Sequence, residues 1–253
     1  MLRTRIIPCL LLRDEALVKT VKFNKFGYIG DPANTVRIFN ELEVDELVCL
    51  DILASRKHQE IKFKVLTEIA NEAFMPLAYG GGIRSFEDAK KIFTIGFEKV
   101  VVNSYAVENP DFITQLAAHF GNQSVIGSID VKKNLFGKYE VVTHSGRKRT
   151  GKNPVEWACE MERLGAGELL ITAVDREGTW SGYDNELIKQ IAESVGVPVI
   201  ANGGAGRVSH IETVVKDAGA DAVALGSMVV YQKKGYGVLV NFPDRKELEN
   251  KLV

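Results

Sequence analysis

The sequence predicts an α/β fold of the (β/α)8 TIM-barrel type, built from two half-barrel repeats within a single domain, residues 1–253. Short β-rich apolar runs alternate with longer amphipathic stretches from end to end, as a parallel sheet wrapped in helices requires. No Pro/Gly/Ser-rich linker divides them, and 253 residues match the roughly 250 that such a barrel uses. Tyr79-Gly80-Gly81-Gly82-Ile83-Arg84 returns as Asn202-Gly203-Gly204-Ala205-Gly206-Arg207 at an offset of 123 residues, near half the chain. The register holds without a gap to Gly96/Gly219, Val100/Val223 and Ser104/Ser227.

The predicted strands are Arg5–Leu12, Glu46–Leu50, Pro76–Tyr79, Lys99–Asn103, Val125–Asp130, Glu168–Thr172, Pro198–Ala201 and Ala222–Leu225. Helical patterns lie between them at Pro32–Leu42, Phe86–Ile95, Pro110–His119, Pro154–Leu164, Glu186–Val195 and Val208–Ala218. Asp31 before Pro32, Ser85 before Phe86 and Asn153 before Pro154 supply side-chain oxygens for the unpaired N–H groups of a first helical turn. Lys132–Gly151 breaks the rhythm, with Tyr-Glu-Val-Val-Thr between glycine-containing turns. It reads as a β-hairpin inserted after the fifth strand, either a decorative loop or a lid over the active face.

Lys+Arg 32 against Asp+Glu 33 leaves a net charge of -1, which argues against nucleic acid or anionic lipid held by bulk charge. Cys9, Cys49 and Cys159 form no CxxC pair, so neither a disulfide scaffold nor a cysteine-based metal site is expected. No cofactor is expected. The start has no signal-like apolar region and no run approaches the ~18 residues of a spanning helix. A cytoplasmic setting without membrane attachment follows as the expectation.

Each repeat copy ends a strand in a glycine run, passes through a helix, and ends the next strand in Asn103-Ser104 or Gly226-Ser227. Glycines let backbone N–H groups turn toward an anion, and a serine hydroxyl completes the cup. Gly81, Gly82, Asn103 and Ser104 are therefore one predicted phosphate site; Asn202, Gly203, Gly204, Gly226 and Ser227 are the other. The implied ligand carries a phosphate at each end. Asp51, Asp130 and the Asp175-Arg176-Glu177-Gly178-Thr179 loop stand at strand C-terminal ends. Asp130 is the leading acid–base candidate, though a lone carboxylate there can also orient a loop. Glu177 is either a second carboxylate or a loop cap, with Gly178 and Thr179 beside it as ligand contacts. Lys19 either reaches a phosphate or is one more solvated lysine. At the opposite face, Arg5, Glu46, Lys99 and Glu168 stand at strand entrances, where they can form a structural plug or a polar gate.

These stretches carry a resemblance. Arg5-Ile6-Ile7-Pro8-Cys9-Leu10, Val107-Glu108-Asn109-Pro110, Gly127-Ser128-Ile129-Asp130, Ser181-Gly182-Tyr183-Asp184 and the two glycine runs resemble the cyclase subunit of imidazole glycerol phosphate synthase, the HisF family, over essentially the whole chain. The resemblance implies a barrel that forms a heterodimer with a HisH-like glutaminase docked at its N-terminal face. Ammonia would pass a gate at Arg5, Glu46, Lys99 and Glu168 and attack a bisphosphorylated substrate, giving imidazole glycerol phosphate and an aminoimidazole carboxamide ribotide.

Family cyclases use paired aspartates at the ends of strands one and five as acid and base. The second falls on Asp130, but the first falls on Leu11, within Leu10-Leu11-Leu12. Glu177 stands where the family usually has Asp, and Asp14-Glu15 replaces an expected Asp-Gly, which should change that turn. With Val238–Asp244, these departures resemble a second branch of the family, associated with bacterial surface polysaccharide. That branch implies delivery of ammonia, with a glutaminase and a third sugar-amidating protein, to make an acetamidino sugar of lipopolysaccharide O-antigen. The alternatives are a histidine-biosynthesis lyase with an altered acid–base pair, and a non-catalytic phosphate-ligand-binding barrel that regulates the glutaminase.

Overall fold

Apolar runs with alternate residues directed to opposite faces become eight parallel strands in the computed structural model, which describes residues 4–57 and 59–252. They are β1 (Arg5–Arg13), β2 (Leu47–Asp51), β3 (Leu77–Gly80), β4 (Lys99–Val102), β5 (Val125–Lys133), β6 (Glu168–Ala173), β7 (Val199–Asn202) and β8 (Ala222–Leu225). Each pairs with the next in sequence. β8 pairs back onto β1 through Arg5↔Ala222, and β5 joins β6 through Thr172↔Asp130, so the barrel closes.

The two-residue period sorts the core into two buried clusters. Ile7, Cys9 and Leu11 of β1 face the axis with Val48, Ala78, Val101, Ile126, Leu170, Ile200 and Ala222. Ile6, Leu10 and Leu12 face outward and join helix residues such as Val36, Phe39, Leu66 and Ile69. The same period points Arg5 inward at the bottom of β1 and Leu11 inward at its top.

The helices follow their start signals. Asp31 accepts from Asn34 N–H ahead of helix Pro32–Glu41, and Asn153 accepts from Val155 N–H ahead of Pro154–Arg163. Ser85 and Asp88 form a reciprocal capping box on Phe86–Ile95. Asp111–Phe120, Asn185–Ala192 and Val208–Lys216 match their predicted positions within a few residues at each end. Phe63–Glu72 and Arg245–Leu252 were not among the anticipated helices.

The hairpin after β5 is present: Tyr139–Thr143 pairs antiparallel with β5 and with Lys148–Arg149. β5 therefore runs three residues past the predicted end at Asp130. A second hairpin, Ala16–Val21 with Asn24–Gly30, fills the loop after β1 and was not foreseen. At its entry turn Asp14 takes the left-handed backbone conformation, at φ 58°. Lys22 and Phe23, at the hairpin's tip, also hold positive φ without a glycine.

Candidate active site at the barrel mouth

The strand ends open into a cavity of about 1290 Å³, part of it continuous with solvent. Its floor is apolar where Leu11, Leu50 and Val101 meet, and Leu11 is paired in register with Leu50 and with Val18 of the first hairpin. Asp130 stands in the same wall, only 9% exposed. Burial pushes its carboxyl up to about 7, against the pull of Asn103, Thr172 and Lys132, with the Glu177 charge adding to the rise. A carboxyl near neutrality can both take and return a proton.

Lys19 lies mid-strand on Ala16–Val21, not at the end of the loop as the sequence suggested, and is buried. Its ammonium donates to the Cys9 carbonyl at 3.3 Å and sits against Gly226, where a Cβ would collide with it. Glu177 is buried beside it. Desolvation raises the Glu177 carboxyl while the Lys19 charge and the Phe23 N–H lower it. Glu177 also holds the first hairpin: its carbonyl accepts from Lys22 N–H at 2.9 Å and its Oε2 from Phe23 N–H at 3.2 Å. Asp51 is occupied as a turn acid, its Oδ1 accepting from Leu53 and Ala54 N–H at 2.8 and 3.0 Å. Burial raises the Cys9 thiol, so Cys9 is not an activated nucleophile.

The two glycine cups lie on separate walls. Gly81, Gly82, Asn103 and Ser104 line the main cavity. Gly81 has φ +126°, and a Cβ there would stand 2.6 Å from the Asp51 carbonyl oxygen. Its repeat partner Gly204 has φ +114°, and a Cβ there would come closer still to the Gly182 carbonyl oxygen. Gly178, Asn202, Gly203, Gly204, Gly226 and Ser227 line a neighbouring cavity of about 280 Å³, which shares Lys19, Glu177 and Asn202 with the first. Thr179 lines neither. Its hydroxyl turns back into the loop, donating to the Arg176 carbonyl at 2.6 Å and meeting the Ser181 hydroxyl at 2.7 Å.

Two hairpins reach over this mouth and touch, Phe23 standing against Gly146. The second is tied down at Ser104 and Ile52 and braced by Lys132 of its own first strand. His144 N–H donates to Ser104 Oγ at 3.0 Å, Ser145 Oγ to the Ile52 carbonyl at 2.8 Å, and Lys132 Nζ to the Gly146 carbonyl at 3.2 Å. Tyr139 OH ties its base to Asp184 at 2.7 Å. Sequence reasoning singled out none of Arg84, His144 and Arg147, which also line the cavity. The signal for Arg84 was its place inside the repeated glycine run.

At the other end, the four predicted side chains meet in a ring of alternating charge. Arg5 reaches Glu46 at 2.6 Å and Glu168 at 3.1 Å; Lys99 reaches Glu46 at 2.9 Å and Glu168 at 3.0 Å. Asp45 receives the Ile6 N–H at 3.1 Å just outside it.

A family model described as "Histidine biosynthesis protein" matches residues 5–235. The chain is 47% identical over 249 residues, 98% of its length and 99% of the relative's, to a Pseudomonas aeruginosa protein named "Putative imidazole glycerol phosphate synthase subunit hisF2". The chain belongs to the HisF family. It is also 44% identical over 233 residues, 92% of each chain, to the imidazole glycerol phosphate synthase subunit HisF of Alkaliphilus metalliredigens. A Vibrio vulnificus relative of 44% identity, spanning 100% of this chain and 97% of its own, carries the paralogue number hisF3. In this HisF-family barrel, the strand-one position that faces Asp130's cavity is a leucine.

Proposed function

We propose that this chain is the ammonia-using subunit of a glutamine amidotransferase, acting on a phosphorylated substrate at the barrel mouth in acetamidino-sugar synthesis for surface polysaccharide. The carrying observation is Leu11: buried, in register with Leu50, and part of an apolar floor where the HisF resemblance places an acid. Leucine neither donates nor accepts a proton, and loss of a positioned acid–base group costs about 10²–10⁴-fold in rate. The cups, Lys19 and Asp130 remain available to bind and act on a phosphorylated ligand.

A HisH-like glutaminase would dock below the charged ring and release ammonia into the barrel, and a third protein would supply or modify the sugar. Above the ring the axis is lined by Ile7, Val48, Val101, Ile126 and Leu170. Such a lining admits neutral ammonia far more readily than ammonium, whose desolvation costs several kcal/mol. The reading places the protein in the reducing cytoplasm. Its three cysteines are free, and no helix among the described residues is long and apolar enough to cross a membrane.

The test is turnover of the purified chain with ammonium salt and the bisphosphorylated substrate of the histidine-pathway cyclase. Ammonium removes the need for a glutaminase. Turnover is expected to be absent or lower by orders of magnitude than for a family member with both aspartates. Turnover of about 1–10³ per second, ordinary for enzymes, would favour the second reading, the histidine-biosynthesis lyase. That reading draws on Asp130 near neutrality with the Glu177 carboxylate in the same mouth.

A further inference from the structure

The two halves of the repeat treat their cations differently. Arg207, the partner of Arg84 in the second half, donates from Nε to His210 Nε2 at 3.0 Å and is thereby engaged. Arg84 is half-buried in the wall of the main cavity beside Gly81 and Gly82, and its side chain makes no hydrogen bond or ion pair among the described residues. Arg147 is likewise without a side-chain partner among them, and it lines the same cavity from the turn of the second hairpin. Its backbone, by contrast, is fixed: Arg147 N–H closes the turn onto the Thr143 carbonyl at 3.0 Å, and the preceding three residues bond to Ser104, Ile52 and Lys132. The neighbouring Glu108 carboxylate meets His144 Nε2 at 3.5 Å, not either arginine.

Two guanidiniums without a partner among the described residues, Arg84 half-buried and Arg147 exposed, on the wall of one cavity, are ligand-binding groups held in advance. Together they carry two positive charges beside a glycine turn, which matches the nearly double negative charge of a phosphate monoester near neutral pH. Their planar forks also suit tetrahedral phosphate oxygens better than a lysine would. We propose that Arg84 and Arg147 clamp a phosphate monoester dianion into the first glycine cup, and that Arg147 makes the second hairpin a lid that closes on that phosphate. Ser104 links the two events, because its oxygen accepts from the hairpin's His144 N–H while its own proton stays available to the phosphate. The second cup works with Lys19 alone. The inference rests on the proposed phosphate cups and adds the residues that make the first of them strong and lid-linked.

The test is amide chemical-shift titration of the isotopically labelled full chain with inorganic phosphate at pH 7.5. Gly81 and Gly82 report the first cup, Gly203 and Gly204 the second. Arg84→Gln and Arg147→Gln are each expected to weaken first-cup binding about tenfold, the scale of one hydrogen bond to a charged group, and to leave the second cup within twofold. Lys148→Gln removes an exposed charge from the same hairpin and should change neither. Phosphate should slow hydrogen exchange of residues 139–149 in the wild type and not in Arg147→Gln. Shifts at both cups that keep their wild-type affinity in both arginine variants would overturn the clamp alone. No phosphate shift at either cup would overturn the cups as well.

Discussion

Replacing Asp130 by asparagine tests whether the mouth holds a carboxyl tuned to neutrality. The native group is 9% exposed and pushed up to about 7, whereas an aspartate in an unfolded chain titrates near 3.9. Below about pH 4 both states hold the proton and the site costs nothing. Between about 4 and 7 the unfolded chain has released it and the native chain has not, so native protein binds more protons and stability falls as pH rises. Above about 7 the penalty is complete, at about 4 kcal/mol, because each pH unit between the two titration points contributes about 1.36 kcal/mol. Asparagine carries no such penalty. The stability of Asp130→Asn relative to wild type should therefore increase by about 2–3 kcal/mol between pH 5 and pH 8. Guanidinium denaturation of both proteins at the two pH values measures it. Stabilities that run parallel within about 0.5 kcal/mol would show that Asp130 titrates as an ordinary surface acid, and would remove the physical basis for its acid–base role.

Lys99→Leu should destabilise the protein by about 3 kcal/mol in the same assay, because the buried Glu46 and the half-buried Glu168 would then share Arg5 alone; adding Glu46→Gln should recover part of the loss. Ser85→Ala removes one arm of the capping box on Phe86–Ile95 and should cost about 1 kcal/mol, with no effect on second-cup phosphate binding. Leu11→Asp should lower stability at neutral pH by placing a carboxylate among Leu50, Val18 and Val101, yet raise ammonium-dependent cyclase turnover. Unchanged turnover would show that Leu11 is not what limits that reaction.

The barrel was legible because its signals are local and repeated. Apolar runs of strand length, caps at Asp31, Ser85 and Asn153, and the glycine repeat each act over a few residues and all point to one architecture. The hairpin after β5 was legible for the same reason, since glycines mark its turns. The hairpin after β1 was not, because its tip is Lys22-Phe23, two residues that rarely take positive φ. Glu177, far along the chain, holds both of their N–H groups and so imposes that turn from outside. Lys19 stands out in the sequence as a candidate but not as a buried one, since its burial depends on that unseen strand. Arg147 escaped because an arginine in a hairpin turn looks like any solvated charge until the turn is found anchored over a cavity.

On the proposed function, the two ends of the axis would let one substitution alter the chemistry and leave the ammonia supply intact. The ring is neutral in sum, two cations against two anions, and each carboxylate is shared by two donors. Moving Lys99 aside would leave Arg5 alone to bridge Glu46 and Glu168, at the cost that Lys99→Leu measures. On that proposal, ammonia would have to pass the ring and the apolar layer above it, to which Leu11 adds one more hydrocarbon surface. Leu11 offers no proton donor where the HisF resemblance places one, several strand residues away from the ring on the same inward face of β1. On the proposed function, ammonia therefore still arrives, at a site where Asp130 works without its usual partner. An acceptor that needs a single acid–base group, or that a third protein activates beforehand, suits this mouth better than a ring closure that needs two.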